Sequence, residues 1–143
     1  ITDLTVDLAK YRLNKAKDLL EQADLLNKNK KYDGSINRSY YAIFNAIRSI
    51  LALIELDSSK HSGVLSYFDR YFVKLNIIEK EYSKIAHEAF DIRQDNDYED
   101  FYTPSKEESI TQFSNASKFI QKIEYKINQL TKKEIDLPEV QNE

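Results

Sequence analysis

Tight turns are scarce in this sequence, because its 143 residues include only two glycines and two prolines. Glycine and proline are the residues that most often interrupt helices and strands and form the turns between them. A chain with so few of them becomes compact only when long helices make up most of its fold. Its length suits one domain that buries a substantial hydrophobic core. The sequence therefore predicts an all-α protein.

Apolar residues recur at helical spacing in five segments that are separated by short polar stretches. The predicted helices cover residues 3–28, 34–56, 61–74, 78–96 and 105–131. Short connections between such helices favour an up-and-down bundle, here a four-helix core with one additional short helix. We expect a single domain over residues 1–131. Residues 132–143 contain a proline and no periodicity, which predicts a disordered tail.

Polar residues at the segment boundaries predict how three of the helices begin. Ser105 stands three residues before Glu108, the spacing of a capping box, and follows directly after a proline. An N-cap side chain accepts a hydrogen bond from the first turn of its helix. The candidates for the second and third helices are Asp33 or Ser35, and Ser58 or Ser59.

Charge and cysteine content exclude several classes of function. The net charge is −3 and the sequence pI is about 5.5, so a nucleic-acid function must rest on a local basic site or an assembled groove. The absence of cysteine excludes disulfides and thiolate metal sites and suits the cytoplasm. No apolar run approaches the roughly 20 residues of a membrane span. We expect a cytoplasmic protein that does not bind membranes.

The second predicted helix carries a polar and aromatic stripe beside its apolar face. Arg38, Tyr41, Asn45 and Arg48 follow one another at spacings of three, four and three residues, which places them on one side of the helix. Guanidinium, amide and phenol groups together suit phosphate oxygens and base edges. The alternative is a solvated face on which Tyr41 is half-buried.

A charged segment, FDIRQDNDYEDF, ends the fourth predicted helix. Arg93 extends an apolar line of this helix and therefore points partly into the bundle or an interface. Asp97 lies one turn later and can pair with it, and Tyr98 stands beside both. One interpretation is a binding or catalytic site around Arg93. The other is an intrahelical ion pair that ends the helix.

The two histidines, His61 and His87, stand apart from the groups that usually accompany histidine in metal sites. Neither has His, Asp or Glu neighbours at metal-ligand spacing, so we predict no metal site. The sequence also lacks a P-loop, a dinucleotide-binding glycine fingerprint and a nucleophile elbow, and we expect no cofactor. A lone histidine such as His61 is more often structural than catalytic.

Four segments in this order resemble the HEPN domain superfamily over about residues 8–130: RSYYAIFNAIRSIL, KHSGVLSYFDRYFVK, FDIRQDNDYEDF and SKEESITQFSNASKFIQKI. The branch they resemble contains small prokaryotic HEPN proteins often encoded beside minimal nucleotidyltransferases. The resemblance implies a helical homodimer that acts on RNA, with a nucleotidyltransferase as the neutralising partner of toxin-type members. Active HEPN ribonucleases carry Arg-x(4–6)-His near the end of this helix and cut RNA without a metal.

Here Arg93 matches the motif arginine, but no histidine follows it, and Tyr98 stands where the histidine is expected. A tyrosine is a poor general base at neutral pH because its ordinary pKa is about 10, although it can donate to phosphate or stack on a base. We therefore predict a toxin-antitoxin-like or nucleotidyltransferase-associated dimer that binds RNA or nucleotide without efficient cleavage. Arg93 holds phosphate, Asp97 orients it, and Tyr98 with the stripe of the second helix completes the cleft.

Two alternatives remain open from sequence. The first is an active metal-independent ribonuclease toxin in which His61 or Tyr98 replaces the missing histidine. The second is a non-catalytic structural or regulatory module whose Arg93 cluster only stabilises a dimer. An open cleft around Arg93 favours a function at that site, whereas an arginine sealed against Asp97 favours the structural alternative.

Overall fold

The computed structural model describes residues 1–141 as α helices joined by turns and loops, which confirms the all-α prediction. Its five α helices are Asp3–Lys28 (α1), Tyr32–Ala52 (α2), His61–Phe68 (α3), Lys80–Tyr98 (α4) and Lys106–Thr131 (α5). A π-helical turn, Asp69–Val73, continues α3. Each predicted helix is present, and most boundaries lie within two residues of the predicted ones.

The second helix, α2, is the centre of the bundle. It packs against α1, α3, α4 and α5, and its residues are buried on more than one face. The fully buried large side chains of the molecule include Tyr40, Ile43 and Ile47 of α2 together with Phe68 and Phe119 from α3 and α5. A polar side chain on α2 therefore has few ways to reach solvent, and its neighbours on α1, α3 or α4 decide its environment.

The helix starts show which capping predictions were right. Ser105 is the N-cap of α5 and accepts a hydrogen bond from the Glu108 backbone N–H at 3.0 Å, as its spacing predicted. The prediction for α2 was wrong: this helix begins after Lys31 without a side-chain cap. Asp33 instead accepts from the Gly34 N–H, and Ser35 donates to the Ala23 carbonyl on α1. Contacts to a neighbouring helix thus replace the local cap.

The cap predicted for α3 was also wrong. Its N-cap is Lys60, which makes no side-chain cap hydrogen bond. The Ser58 hydroxyl accepts from the Lys60 N–H at 3.2 Å and so closes the loop before the helix. Gly63, in the first turn of α3, faces this loop, and a Cβ at that position would lie 2.2 Å from the Ser58 hydroxyl oxygen. A side chain at Gly63 would push the loop and helix start apart.

The chain after α5 packs back on the bundle. Ile135 and Leu137 are partly buried against the hydrophobic core, and Pro138 is buried. The Gln141 backbone N–H lies 3.4 Å from the Tyr71 hydroxyl, which accepts its hydrogen bond. These contacts differ from the disorder expected from residue 132, because isolated apolar residues without periodicity can still fill a groove. Residues 142–143 lie outside the described part of the chain, and the domain boundary at residue 131 stays a prediction.

Between residues 1 and 141, no helix combines the length and the apolar character that crossing a membrane requires.

Candidate functional site

An open cavity of about 440 Å³ lies where α2, the start of α3 and the end of α4 meet. Two cations, Lys60 and Arg93, line it, and no acidic residue does. The complete lining consists of Tyr41, Lys60, His61, Ser62, Phe90, Arg93, Gln94 and Tyr98. Its cationic and aromatic character suits an anion that is attached to a planar ring.

Arg93 is held by aromatic rings and keeps only 13% of its side chain exposed. The guanidinium carbon lies 5.4 Å from the ring centres of both Tyr40 and Tyr41 and 5.8 Å from that of Tyr98. One Nη2 N–H donates to the Tyr41 hydroxyl at 2.8 Å. Cation–π contacts and this hydrogen bond fix the plane of the guanidinium without consuming most of its five donors.

The ion pair that the sequence predicted between Arg93 and Asp97 is present. Arg93 Nε lies 2.8 Å from Asp97 Oδ2, and both residues belong to the last turns of α4. The Nε–H nevertheless does not point at this oxygen, and it is a buried donor without a hydrogen-bond partner. The pair therefore supplies charge compensation without the aligned fork geometry that saturates an arginine.

His61, at the first position of α3, enters the same cavity beside Arg93. Its ring packs against Phe44 at a tilt of 35° with 4.3 Å between ring centres, and its Nδ1 lies 2.7 Å from the Tyr40 hydroxyl. Burial, and then the positive charge of Arg93, holds the pKa of His61 below its ordinary value. The imidazole is therefore uncharged near neutral pH and can exchange a proton with a bound group.

Tyr40 determines which nitrogen of His61 is available. Its hydroxyl belongs to a side chain that is 2% exposed, and burial raises the pKa of Tyr40 well above its usual value, so the phenol stays protonated. A phenol can donate to Nδ1 or accept from it, and each choice sets the opposite state of Nε2. In either tautomer, Tyr40 contacts only Nδ1 of His61 and leaves Nε2 without a contact to Tyr40.

The stripe on α2 does not line one surface. Tyr41 reaches the cavity, whereas Arg38 binds Gln22 and Asn37, and Arg48 forms a two-pronged contact with Asp57 at 3.1 and 2.7 Å. Asn45 is buried and donates to the Tyr41 carbonyl at 2.8 Å. Of the residues predicted for the site, the structure brings Tyr41, His61, Arg93, Asp97 and Tyr98 together. Contacts of all eight predicted residues with RNA stay predictions.

Several residues of the cavity were not identified from the sequence. Phe90 and Gln94 lie three residues before and one after Arg93 on α4, so helical spacing from Arg93 was the signal that could have found Phe90. Lys60 and Ser62 flank His61, and only the tertiary position of α3 places them at the cavity. Tyr40 lies on the buried face of α2, and the contact of its hydroxyl with His61 depends on the position of the start of α3.

The second histidine lies outside this cavity. His87 Nε2 and the Ser83 hydroxyl each contact a different oxygen of Asp69, both at 2.6 Å. The carboxylate stands between the serine and the histidine, so the imidazole has no contact with the hydroxyl that could activate it. These three residues join the π-helical turn to α4 and have a structural role.

Comparisons with known proteins identify the family of this chain. The family model of the HEPN domain matches residues 9–127. A protein of Thermotoga maritima named "UPF0332 protein" is 34% identical over 123 residues, which cover 86% of this chain and 93% of the relative. A protein of Methanocaldococcus jannaschii named "Putative toxin" is 31% identical over 115 residues, which cover 80% of this chain and 85% of the relative.

The matched residues span α2, α3 and α4, the three helices that form the cavity. They extend through most of the chain, and the relatives are covered over most of their own length. This chain therefore belongs to the HEPN domain family.

Proposed function

We propose that this HEPN protein binds single-stranded RNA, with a phosphate in the cavity beside Arg93 and Lys60 and a base against Tyr98. The observation that carries this proposal is the position of Arg93 in the lining of an open cavity, with Asp97 beside its Nε rather than beside its terminal nitrogens. Tyr98 is 72% exposed, so its ring offers a stacking surface next to the guanidinium. These two features support a binding role for Arg93 in addition to its ion pair with Asp97.

Charge supports RNA rather than an uncharged ligand. The whole chain has a net charge of −3, yet the lining residues of this cavity include two cations and no carboxylate. A local positive site on an acidic protein attracts a phosphate at short range but gives weak non-specific binding to long duplexes. We therefore expect binding that is local to the cavity and sensitive to salt.

The test measures the anisotropy of a fluorescently labelled single-stranded RNA at several salt concentrations. Arg93→Ala is expected to weaken binding by about tenfold or more, because it removes a charged donor that contacts phosphate. Lys84→Ala is the matched control: it removes one positive charge from the same helix, and its side chain lies in solvent outside the cavity. Equal affinity of wild type and folded Arg93→Ala would contradict the proposal.

A second candidate function is metal-independent RNA cleavage, which the position of uncharged His61 in the same cavity favours. His61 accepts the proton of a ribose 2′-hydroxyl, and the 2′-oxygen forms a bond to the adjacent phosphorus. The bond from phosphorus to the 5′-oxygen breaks, and His61 returns the proton to that oxygen. The products are a 2′,3′-cyclic phosphate and a 5′-hydroxyl.

Cleavage is tested with wild type and His61→Asn on varied RNAs in EDTA, and the product ends are identified by mass spectrometry. Products with cyclic phosphate that disappear in His61→Asn, while RNA binding persists, support His61 as the proton-transfer group. Intact RNA at high wild-type concentration would exclude this second function and leave the binding proposal standing.

The relative named as a putative toxin supports a toxin-like role for this protein. From the family resemblance we propose a nucleotidyltransferase as its neutralising partner. Expression of the wild-type chain in a bacterial host is expected to slow growth, and Arg93→Ala is expected to restore it. Equal growth of both strains at equal protein level would contradict the toxin role.

A further inference from the structure

A second open cavity, of about 800 Å³, lies between the π-helical turn and the start of α4. Among the described residues, three cations and one carboxylate line it. Its lining consists of Ser66, Asp69, Arg70, Val73, Lys74, Lys80, Ser83 and Gln141. An excess of positive groups around an open cavity suits a phosphate or another anion.

The two cavities lie at opposite ends of one groove between α3 and α4. The start of α3 and the end of α4 line the Arg93 cavity, whereas the end of α3, its π-helical turn and the start of α4 line the second one. The two helices therefore run in opposite directions along the groove. An anionic chain that leaves one cavity along this groove reaches the cations of the other.

One stripe of α4 joins the two cavities. Its members follow one another at spacings of three or four residues, which places them on one side of the helix: Lys80, Ser83, His87, Phe90 and Gln94. The first two line the second cavity, and the last two line the Arg93 cavity. None of the five is buried, and His87 keeps 49% of its side chain exposed between the cavities. The groove is therefore accessible from solvent along its length.

Asp69 is the one carboxylate that the described chain places in the lining of either cavity, and both of its oxygens are engaged. One accepts from the Ser83 hydroxyl, and the other lies 2.6 Å from His87 Nε2. Lys74 and Lys80, by contrast, form no ion pair within residues 1–141. These two lysines are therefore the cations of the second cavity that a phosphate can contact.

The π-helical turn beside this cavity is an independent indication of function. Within it, the Lys74 backbone N–H donates to the Asp69 carbonyl, five residues earlier, at 2.8 Å. Such turns are rare and occur frequently at functional sites. Here the turn and the residue after it supply half of the lining of the cavity, namely Asp69, Arg70, Val73 and Lys74.

We propose that a single strand of RNA bound at Arg93 continues along this groove and places a further phosphate in the second cavity, beside Lys74 and Lys80. This inference rests on the proposed function and adds a second contact site to it. Arg93 and Lys80 are 13 residues apart on α4, which corresponds to about 20 Å of helix. A strand of several nucleotides covers this distance, within the site sizes of proteins that bind single strands. Affinity then depends on whether one strand reaches both cavities.

The first test compares two lengths of labelled RNA by fluorescence anisotropy. A dinucleotide occupies one cavity at a time, whereas a strand of about twelve nucleotides reaches both. The double variant Lys74→Ala/Lys80→Ala is expected to weaken binding of the longer RNA by about tenfold and to affect the dinucleotide far less. It is also expected to reduce the slope of log affinity against log salt by about 1.4, which is about 0.7 for each lost phosphate contact.

Lys10→Ala/Lys15→Ala is the matched control. It also removes two exposed lysines, but from α1, which packs against α2 and α5, and neither lysine lines a cavity of the groove. Equal losses in the two double variants, or unchanged affinity for the longer RNA in folded Lys74→Ala/Lys80→Ala, overturn the groove path. RNA binding that depends on Arg93 alone overturns only this inference, whereas a wild type that binds no RNA overturns the proposed function as well.

The position of the strand is tested by photo-cross-linking, for which the chain is well suited because it contains no cysteine. Ser66→Cys provides one attachment point for a photoreactive label at an exposed position of the second cavity. Leu25→Cys provides the control on α1, where Leu25 is 62% exposed. The longer RNA is expected to cross-link at position 66 and not at position 25. No cross-link at position 66, or equal yields at both positions, overturns the proposal.

Discussion

Two arginine clusters beside α2, one around Arg48 and one around Arg93, differ in how carboxylates contact them. At one end, Arg48 forms a two-pronged contact with Asp57, and Arg12 joins the same carboxylate from α1. Near the middle of the helix, Tyr41 contacts Arg93, whose Nε lies near Asp97 without a hydrogen bond to it. Each arginine has one acidic partner, yet Arg93 lines the cavity between α2, α3 and α4, whereas Arg48 and Arg12 do not line it. The orientation of a carboxylate, more than its presence, decides whether an arginine is available for a ligand.

The largest expected effect is on RNA affinity, which we expect to depend on Arg93 and not on Arg48. Arg93→Ala is expected to lower RNA affinity by about tenfold or more, whereas Arg48→Ala is expected to leave RNA affinity unchanged. Arg48→Ala instead lowers the free energy of unfolding by about 1 kcal/mol, a value kept small because both partners of this contact are partly exposed to solvent. Anisotropy and urea denaturation measure the two quantities.

A loss of RNA affinity in Arg48→Ala similar to that in Arg93→Ala would contradict the distinction between Arg48 and Arg93. It would place Arg48 in the RNA site, as the stripe on α2 suggested from the sequence.

An intermediate effect is expected from the hydrogen bond that orients Arg93. Tyr41→Phe removes the hydroxyl that accepts from Arg93 Nη2 and keeps the ring that contacts the guanidinium. We expect RNA affinity to fall by about threefold, within the range of one hydrogen bond to a charged group after compensation by water. Tyr67→Phe serves as control, since it removes a phenol hydroxyl on α3 outside the cavity. A gain in affinity would show that the hydroxyl competes with phosphate for Arg93.

The smallest expected effect is on the pH dependence of stability, which differs between His61 beside Arg93 and Asp57 beside Arg48. Burial and the charge of Arg93 lower the pKa of His61 in the folded protein from its ordinary 6.5. As pH decreases, His61 of the unfolded chain is therefore protonated before His61 of the folded protein. The free energy of unfolding consequently falls as pH decreases below about 6.5. The hydrogen bond from Arg48 is the main reason why the pKa of Asp57 lies below its ordinary 3.8. Its stabilising contribution is present above that value and is lost as pH falls through the lower folded pKa.

The two pH ranges are separated by urea denaturation of His61→Asn and Asp57→Asn at a series of pH values. The first variant is expected to reduce the loss of stability below about pH 6.5, and the second to reduce the loss below about pH 4. If His61→Asn leaves the pH dependence unchanged in its range, His61 is not held uncharged by its surroundings.

Helix ends show where local information is sufficient. Ser105 caps α5 through an atom three residues away, and this contact follows from spacing alone. Asp33 and Ser35 have the same chemistry at the start of α2, but Ser35 is drawn to the Ala23 carbonyl of another helix. The tertiary contact of Ser35 was not predictable from spacing, and Asp33 and Ser58 instead accept from backbone N–H groups one and two residues later.

The candidate site divides in the same way. Arg93, Asp97 and Tyr98 lie within two turns of one helix, so their proximity was predictable from spacing, and His61 was singled out as one of two histidines. The separation of Arg38 and Arg48 from the cavity was not predictable. Both share a face of α2 with Tyr41, but Gln22 and Asp57 draw their long side chains away.

The sequence by itself determined five helices and their approximate boundaries, and it pointed to the end of α4 as the candidate site, because helical periodicity and intrahelical spacing are properties of neighbouring residues. Tertiary structure decided which polar groups meet across helices: Tyr40 with His61, Arg48 with Asp57, and Arg93 with Tyr41. Those contacts depend on the rotation and register of packed helices, which no local pattern encodes. They place Arg93 in the lining of a cavity and keep Arg48 bound to Asp57.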